Sequence, residues 1–333
     1  PTLIDDIFGS RQNPGFFRKL THVAKQTWES FLHLGAPQVQ LAEPIVIADV
    51  ATDDDAALTT RVRTELERER RIIVGPEVKT AQQIREEILT DPRMLETIRE
   101  LAAETGRDLG ELQHHAAVSL KAIAADFDMQ MIKMLSSALN AIFNQIYDGI
   151  DIDQDGLERI RDVARTKRVV LVPSHKSHID YLVLSYVFYN YSLIPPHIAA
   201  GENLSFWPMG AIFRRAGAFF LRRSFAGDPL YTKVFNAYLV KLLEEGFFIE
   251  FFIEGTRSRT GKLNPPKYGM LNMLVDAFAT GTVGDVAFVP VSVGYENVIE
   301  GATYQKELEG GEKQAESLGG LLKTSKVLQS KYG

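Results

Sequence analysis

The chain has 333 residues, 45% hydrophobic and 24% charged, which is enough for a full hydrophobic core and excludes a disordered or fibrous protein. It has no cysteine, so disulfides, thiolate metal sites and a cysteine nucleophile are excluded, and a reducing compartment fits. A net charge of −6 argues against nucleic acid as a partner.

The start, PTLIDDIFGS, has neither the basic segment nor the apolar core of a signal peptide. It lacks an initiator Met, so a fragment is expected. No run reaches the ~18 apolar residues of a membrane-spanning helix.

Up to about residue 165 the apolar residues recur at helical steps, over 16–34, 56–71, 81–89 and 94–105. The longest such pattern predicts one helix over 112–147. Thr80, Asp91 and Asp108 stand where N-caps belong. The composition changes at DGIDIDQDG. Within it, 151–162 imitates a calcium loop, but its twelfth position is Asp162 instead of Glu and no paired hand follows, so an acidic interdomain turn is preferred.

Beyond that turn, strand and helix patterns alternate. RVVLVP (168–173), HIAA (197–200), AFFL (218–221), FFIEFFI (247–253) and VAFVPVSV (286–293) read as strands. Helices are expected from His178, over 206–215, over 231–245 and over 268–279. The pattern predicts an α/β fold in which a mostly parallel mixed sheet is flanked by helices and preceded by an α-helical N-terminal domain. The expected domains are 1–165, helical, and 166–333, α/β. Sites in such sheets lie at the carboxyl ends of the strands.

The first such end is VPSHKSHIDYL (172–182). His175 falls in the turn after a strand and Asp180 in the first helical turn. A fold-back there lets Asp180 accept from Nδ1 and leaves Nε2 free as a general base, with a hydroxyl of the substrate as nucleophile. A metal site of His175, His178 and Asp180 is disfavoured by adjacent Lys176, and a helix cap with exposed histidines remains as the plain alternative.

GAFFLRRS (217–224) and FIEGTRSR (252–259) place Arg223, Arg257 and Arg259 after two later strands. Residues 201–270 hold ten Lys or Arg against six Asp or Glu, so basic charge gathers here in an acidic chain. A guanidinium fork suits a phosphate. Gly255 permits close backbone approach, Thr256 and Ser258 add hydroxyls, and Glu254 orders an arginine. In VPVSVGYE (289–296), Pro290 marks an edge or bend of its strand.

Taken in order, HKSHID, GAFFLRRS, FIEGTRSR and VPVSVGYE resemble the four blocks of the glycerolipid acyltransferases. Residues 195–223, with RERRIIVGP and FNQIYDGIDI upstream, are similar to the large bacterial glycerol-3-phosphate 1-O-acyltransferases, over about residues 60–333. The resemblance implies acyl transfer from acyl-CoA or acyl carrier protein to the 1-hydroxyl of glycerol 3-phosphate, with no metal and no other cofactor. It implies His175 as base and Asp180 as its orienting partner. Arg223, Glu254, Gly255, Arg257 and Ser258 match positions for the acceptor, and Pro290 the block tied to the acyl donor. It also implies a membrane surface as partner, on the cytoplasmic face of the inner membrane, and a catalytic domain truncated at its C-terminus. FWPMGAIFRRAGAFF interleaves aromatic and basic residues as an interfacial element does. Dihydroxyacetone phosphate as acceptor, a non-catalytic lipid-binding scaffold and a metal-dependent phosphohydrolase are the rival readings.

Overall fold

The structure, a computed structural model, describes residues 55–73, 79–146, 149–177 and 179–295. The helix expected over 16–34 and the second histidine, His178, lie outside the described residues. The chain divides into two compact units, Pro1–Leu66 and Glu67–Gly333. Of the first unit, only part of helix α1 (Asp55–Ile73) is described.

In the second unit, helices α2 (Ala81–Thr90), α3 (Pro92–Thr105) and α4 (Leu109–Ile123) begin at the expected caps. Thr80 forms a capping box with Gln83, Asp91 accepts from the Arg93 amide with Pro92 behind it, and Asp108 accepts from the Glu111 amide. Helices α5 (Met129–Ile146), α6 (Gln154–Ala164), α7 (Asp180–Asn190), α8 (Met209–Arg215), α9 (Pro229–Glu245) and α10 (Gly269–Ala279) follow. The strands are β1 (Arg168–Pro173), β2 (His197–Gly201), β3 (Ala218–Leu221), β4 (Ile249–Glu250) and β5 (Val286–Val291).

The single helix expected over 112–147 is two helices, because tertiary partners take the backbone groups between them. The Arg214 guanidinium donates to the carbonyls of Ala122, Ile123 and Ala124, closing α4. The Ala125 amide donates to the Tyr238 hydroxyl, and the amides of Asp126 and Asp128 donate to the carbonyls of Arg214 and Arg215. The Asp128 side chain then caps α5 through the Gln130 amide and pairs with Arg215. A periodic pattern carries no trace of these partners.

The sheet runs β3-β2-β4-β1-β5, and every neighbouring pair is parallel. Val170 and Leu171 of β1 face Ile249 and Glu250 of β4, and Pro290 of β5 faces Val172. From β1 the chain passes over β4 to β2, and from β4 it passes over β1 to β5. Right-handed crossovers in opposite directions put α7 and α10 on opposite faces and open a crevice at the carboxyl ends of β1 and β4. The expected strand over 247–253 keeps only Ile249 and Glu250 in the ladder, since the chain turns at Gly255 soon after.

Val169, Val170, Leu171 and Ile249 are almost wholly buried. They share one core with α9 and with Ile88, Ile98, Leu112 and Leu120 of the preceding helices. That core runs across the residue-165 boundary.

Candidate active site

Six residues of β1 deliver the chain to the crevice, and the following turn folds His175 back over the start of α7. His175 Nδ1 lies 2.9 Å from Asp180 Oδ2. Asp180 has no exposed surface. The same Oδ2 accepts the amides of Lys176 (2.6 Å) and Ser177 (2.9 Å), and Oδ1 accepts the Tyr295 hydroxyl at 2.6 Å. A carboxylate held by two amides at a helix start cannot swing away from the imidazole. With Nδ1 on Asp180, the other ring nitrogen, Nε2, is the one left to exchange a proton. The ring stacks on Phe252, centroids 3.9 Å apart, so its plane is fixed as well.

The loop after β4 closes the other side. Glu254, 2% exposed, accepts the His175 amide at 3.0 Å through Oε1 and the Asn264 amide at 2.7 Å through Oε2. Its carboxylate thereby braces the loop through two backbone amides, beside the expected role of ordering an arginine. The buried Ser258 donates its amide to the His175 carbonyl at 2.7 Å, and its hydroxyl to the Lys262 carbonyl. Gly255 has φ +65, a left-handed conformation that favours glycine at this turn. Half-buried Arg257 sits between Gly255 and Ser258.

Thus His175, Asp180, Glu254 and Ser258 meet directly, and Gly255 and Arg257 belong to the same loop. The other two expected residues stand further out. Arg223 is exposed after β3, three strand spacings from β1, about 14 Å. Its neighbour Arg222 is committed to the fold: it pairs with Asp228 at 2.8 Å and lies over the Tyr231 ring at 4.2 Å. Pro290 is exposed on β5, an edge strand among the described residues, where a missing amide does no harm.

Tyr295, Phe252 and Asn264 escaped the sequence reading. Tyr295 lies inside the fourth block, and alternation along FFIEFFI would have put Phe252 on one face with Glu250. Lys176, which counted against a metal, donates its ammonium to the Val293 carbonyl at 2.9 Å and so ties the β1 and β5 ends together. Among the described residues no group of three His, Asp or Glu is placed to hold a metal ion. Asp153 of the calcium-like loop caps α6 by accepting the Gly156 amide.

A narrow, almost wholly apolar slot of about 50 Å³ runs under α7, lined by Tyr181, Leu182, Tyr186, Ile198, Phe213 and Leu139 among others. Tyr181 joins it to the dyad, its ring 5.9 Å from His175 and 5.8 Å from Phe252.

Residues 152–294 match the family model described as Acyltransferase. Over 323 residues the chain is 38% identical to a glycerol-3-phosphate acyltransferase of Pseudoalteromonas translucida (strain TAC 125), covering 96% of this chain and 39% of that relative. The chain thus spans about two fifths of the relative's length. The matched segment 152–294 takes in β1 through β5 and each of the loops described above. By these matches residues 152–294 are similar to the acyltransferases, and the chain as a whole to part of a glycerol-3-phosphate acyltransferase.

Proposed function

We propose that the protein transfers an acyl group from a thioester, acyl-CoA or acyl carrier protein, to the sn-1 hydroxyl of glycerol 3-phosphate, giving 1-acylglycerol 3-phosphate. The observation that carries this reading is the His175–Asp180 pair at 2.9 Å on the carboxyl edge, with no serine or cysteine in the pair and arginines on two later strand ends.

In the proposed reaction His175 Nε2 removes the acceptor's hydroxyl proton as the oxygen attacks the thioester carbon. Asp180 stabilises the imidazolium that forms. The tetrahedral intermediate expels the thiolate, which takes the proton back from Nε2. Arg257 and Arg223 bind the phosphate, with Gly255 and Ser258 shaping the loop and Glu254 bracing it. Pro290 is assigned to the donor side. No metal and no cofactor beyond the acyl donor is invoked.

A membrane surface suits a lipid product. Trp207 is 85% exposed, and Leu263 and Tyr268 are also exposed, all in loops after β2 and β4 that share the carboxyl edge with Lys262, Lys267 and Arg223. We place the protein peripherally on the cytoplasmic face of the inner membrane, with no nucleic acid partner. No described helix is long and apolar enough to cross a membrane.

The test measures acyl transfer to labelled glycerol 3-phosphate in detergent, with dihydroxyacetone phosphate as competing acceptor. His175→Ala is expected to lose at least ~10³-fold in kcat. Arg257→Ala is expected to act mainly on the acceptor's KM. Unchanged turnover in His175→Ala would reject the mechanism and favour a scaffold, and preference for the ketone would reassign the acceptor.

A further inference from the structure

β4 places its second residue, Glu250, in the middle of the sheet. It registers with Leu171 of β1 and Ile198 of β2, so its neighbours within the sheet are apolar. It has no exposed surface, and neither carboxyl oxygen has a hydrogen-bond partner. Alternation turns its side chain to the same face as Phe248 and Phe252. Phe248 meets Phe188 of α7 edge-on at 5.8 Å, and Phe252 lies against the His175 ring. Glu250 therefore stands under α7, between these rings and behind the dyad. Asp180 is the charged group that acts on it, and Asp180 in turn holds His175.

An ionised carboxylate left dry and without donors is among the costliest states a side chain can take. Two carboxyls in one dry site do not both ionise, and Asp180, with four donors, is the one that keeps the charge. The donors are also unevenly shared. Oδ2 of Asp180 accepts three, while Oδ1 accepts the Tyr295 hydroxyl and retains a second lone pair. A carboxylic acid beneath α7 has one O–H to offer there, and no aliphatic side chain of that size does.

We infer that Glu250 is a positioning residue of the dyad, held as an uncharged carboxylic acid beneath α7. Asp180 then presents the single negative charge to His175, and the Glu250 O–H supports its less-occupied oxygen through one water. The inference rests on His175–Asp180 being the catalytic pair.

The experiment compares wild type, Glu250→Gln and Glu250→Leu by infrared spectroscopy, by NMR titration of the His175 ring and by acyl-transfer kinetics. Near neutral pH the wild type is expected to show the C=O stretch of a buried protonated carboxyl, absent in Glu250→Gln. The His175 midpoint is expected to agree between wild type and Glu250→Gln within a few tenths of a pH unit, because one neutral group replaces another. In Glu250→Leu kcat falls about tenfold with the acceptor's KM unchanged, and Glu250→Gln recovers to within about threefold.

The inference fails if the wild type lacks the protonated band. It fails if the His175 midpoint drops by about a unit in Glu250→Gln, as removal of a nearby negative charge requires. It also fails if Glu250→Leu turns over like wild type. Should Glu250→Leu not fold, the band and the titration in Glu250→Gln decide. If wild type transfers no acyl group at all, the functional reading has failed, and the same two spectroscopic readouts still decide the state of Glu250.

Discussion

Tyr295 and Asp180 are 115 residues apart and joined at 2.6 Å, and this contact divides structural from chemical roles in the site. Removing the hydroxyl leaves the dyad's backbone donors in place but frees Oδ1. Tyr295→Phe is therefore expected to lower kcat about tenfold, the rate equivalent of one charge-assisted hydrogen bond, while the acceptor's KM holds. Steady-state kinetics with varied glycerol 3-phosphate check this, and an equal rise in KM would show a binding role instead. The neighbouring arginines separate in the same way. Arg222→Ala loses the Asp228 pair and the stacking on Tyr231 and is expected to lose about 1 kcal/mol of stability with little change in KM. Arg223→Ala is expected to leave the melting temperature unchanged and to raise the acceptor's KM about tenfold, since a guanidinium–phosphate contact is worth that much. Thermal melts beside kinetics on both variants separate them.

At the level of elements, the break between α4 and α5 depends on Arg214. Its guanidinium holds three carbonyls at a helix end that would otherwise continue, and its ring contact with Phe220 (4.6 Å) anchors it to β3. Arg214→Ala leaves those carbonyls without a donor at a half-buried position and is expected to cost about 2–3 kcal/mol, read as a shift of the denaturation midpoint at constant slope. A change in slope would instead mean that the two helices have merged or melted separately. The same region shows what can be read from a sequence. Thr80, Asp91 and Asp108 were legible as caps because a cap is local: the oxygen and the amide it binds lie within three residues. The break was not, because Arg214 and Tyr238 reach it from about 90 and 113 positions away. The strands were legible from apolar runs, but FFIEFFI overstated β4, since apolarity marks burial and not ladder partners. In the site, HKSHID showed the dyad through its spacing and the strand before it. Phe252, Tyr295 and the bracing role of Glu254 depend on which loops the sheet order brings side by side, and that order is set by crossovers, not by any window of residues.

Across the molecule, two buried titratable groups give stability opposite slopes with pH. His197 opens β2 on the sheet face away from Glu250, its ring 5.1 Å from Phe127 and 4.5 Å from Phe247, with Nδ1 unpartnered. Burial pushes its pKa down from 6.5 to about 3. Between those values the unfolded chain binds a proton that the folded chain refuses, so stability falls on acidification from about pH 6.5. By about pH 5 this amounts to ~2 kcal/mol. Glu250 is raised well above 4.5, by burial first and Asp180 second. Above 4.5 the unfolded chain releases a proton that the folded chain keeps, so this group lowers stability as pH rises towards its folded value. His197→Phe, an aromatic that preserves the stacking, is expected to remove the acid-side loss. Its unfolding free energy in urea should change ~2 kcal/mol less than wild type between about pH 7 and pH 5. Glu250→Gln is expected to leave that acid-side difference in place and to gain stability mainly on the alkaline side. If both variants track wild type at every pH, neither group is buried in the protonation state that its packing demands. If only His197→Phe flattens the acid limb, proton uptake at the start of β2 is what limits the fold in acid.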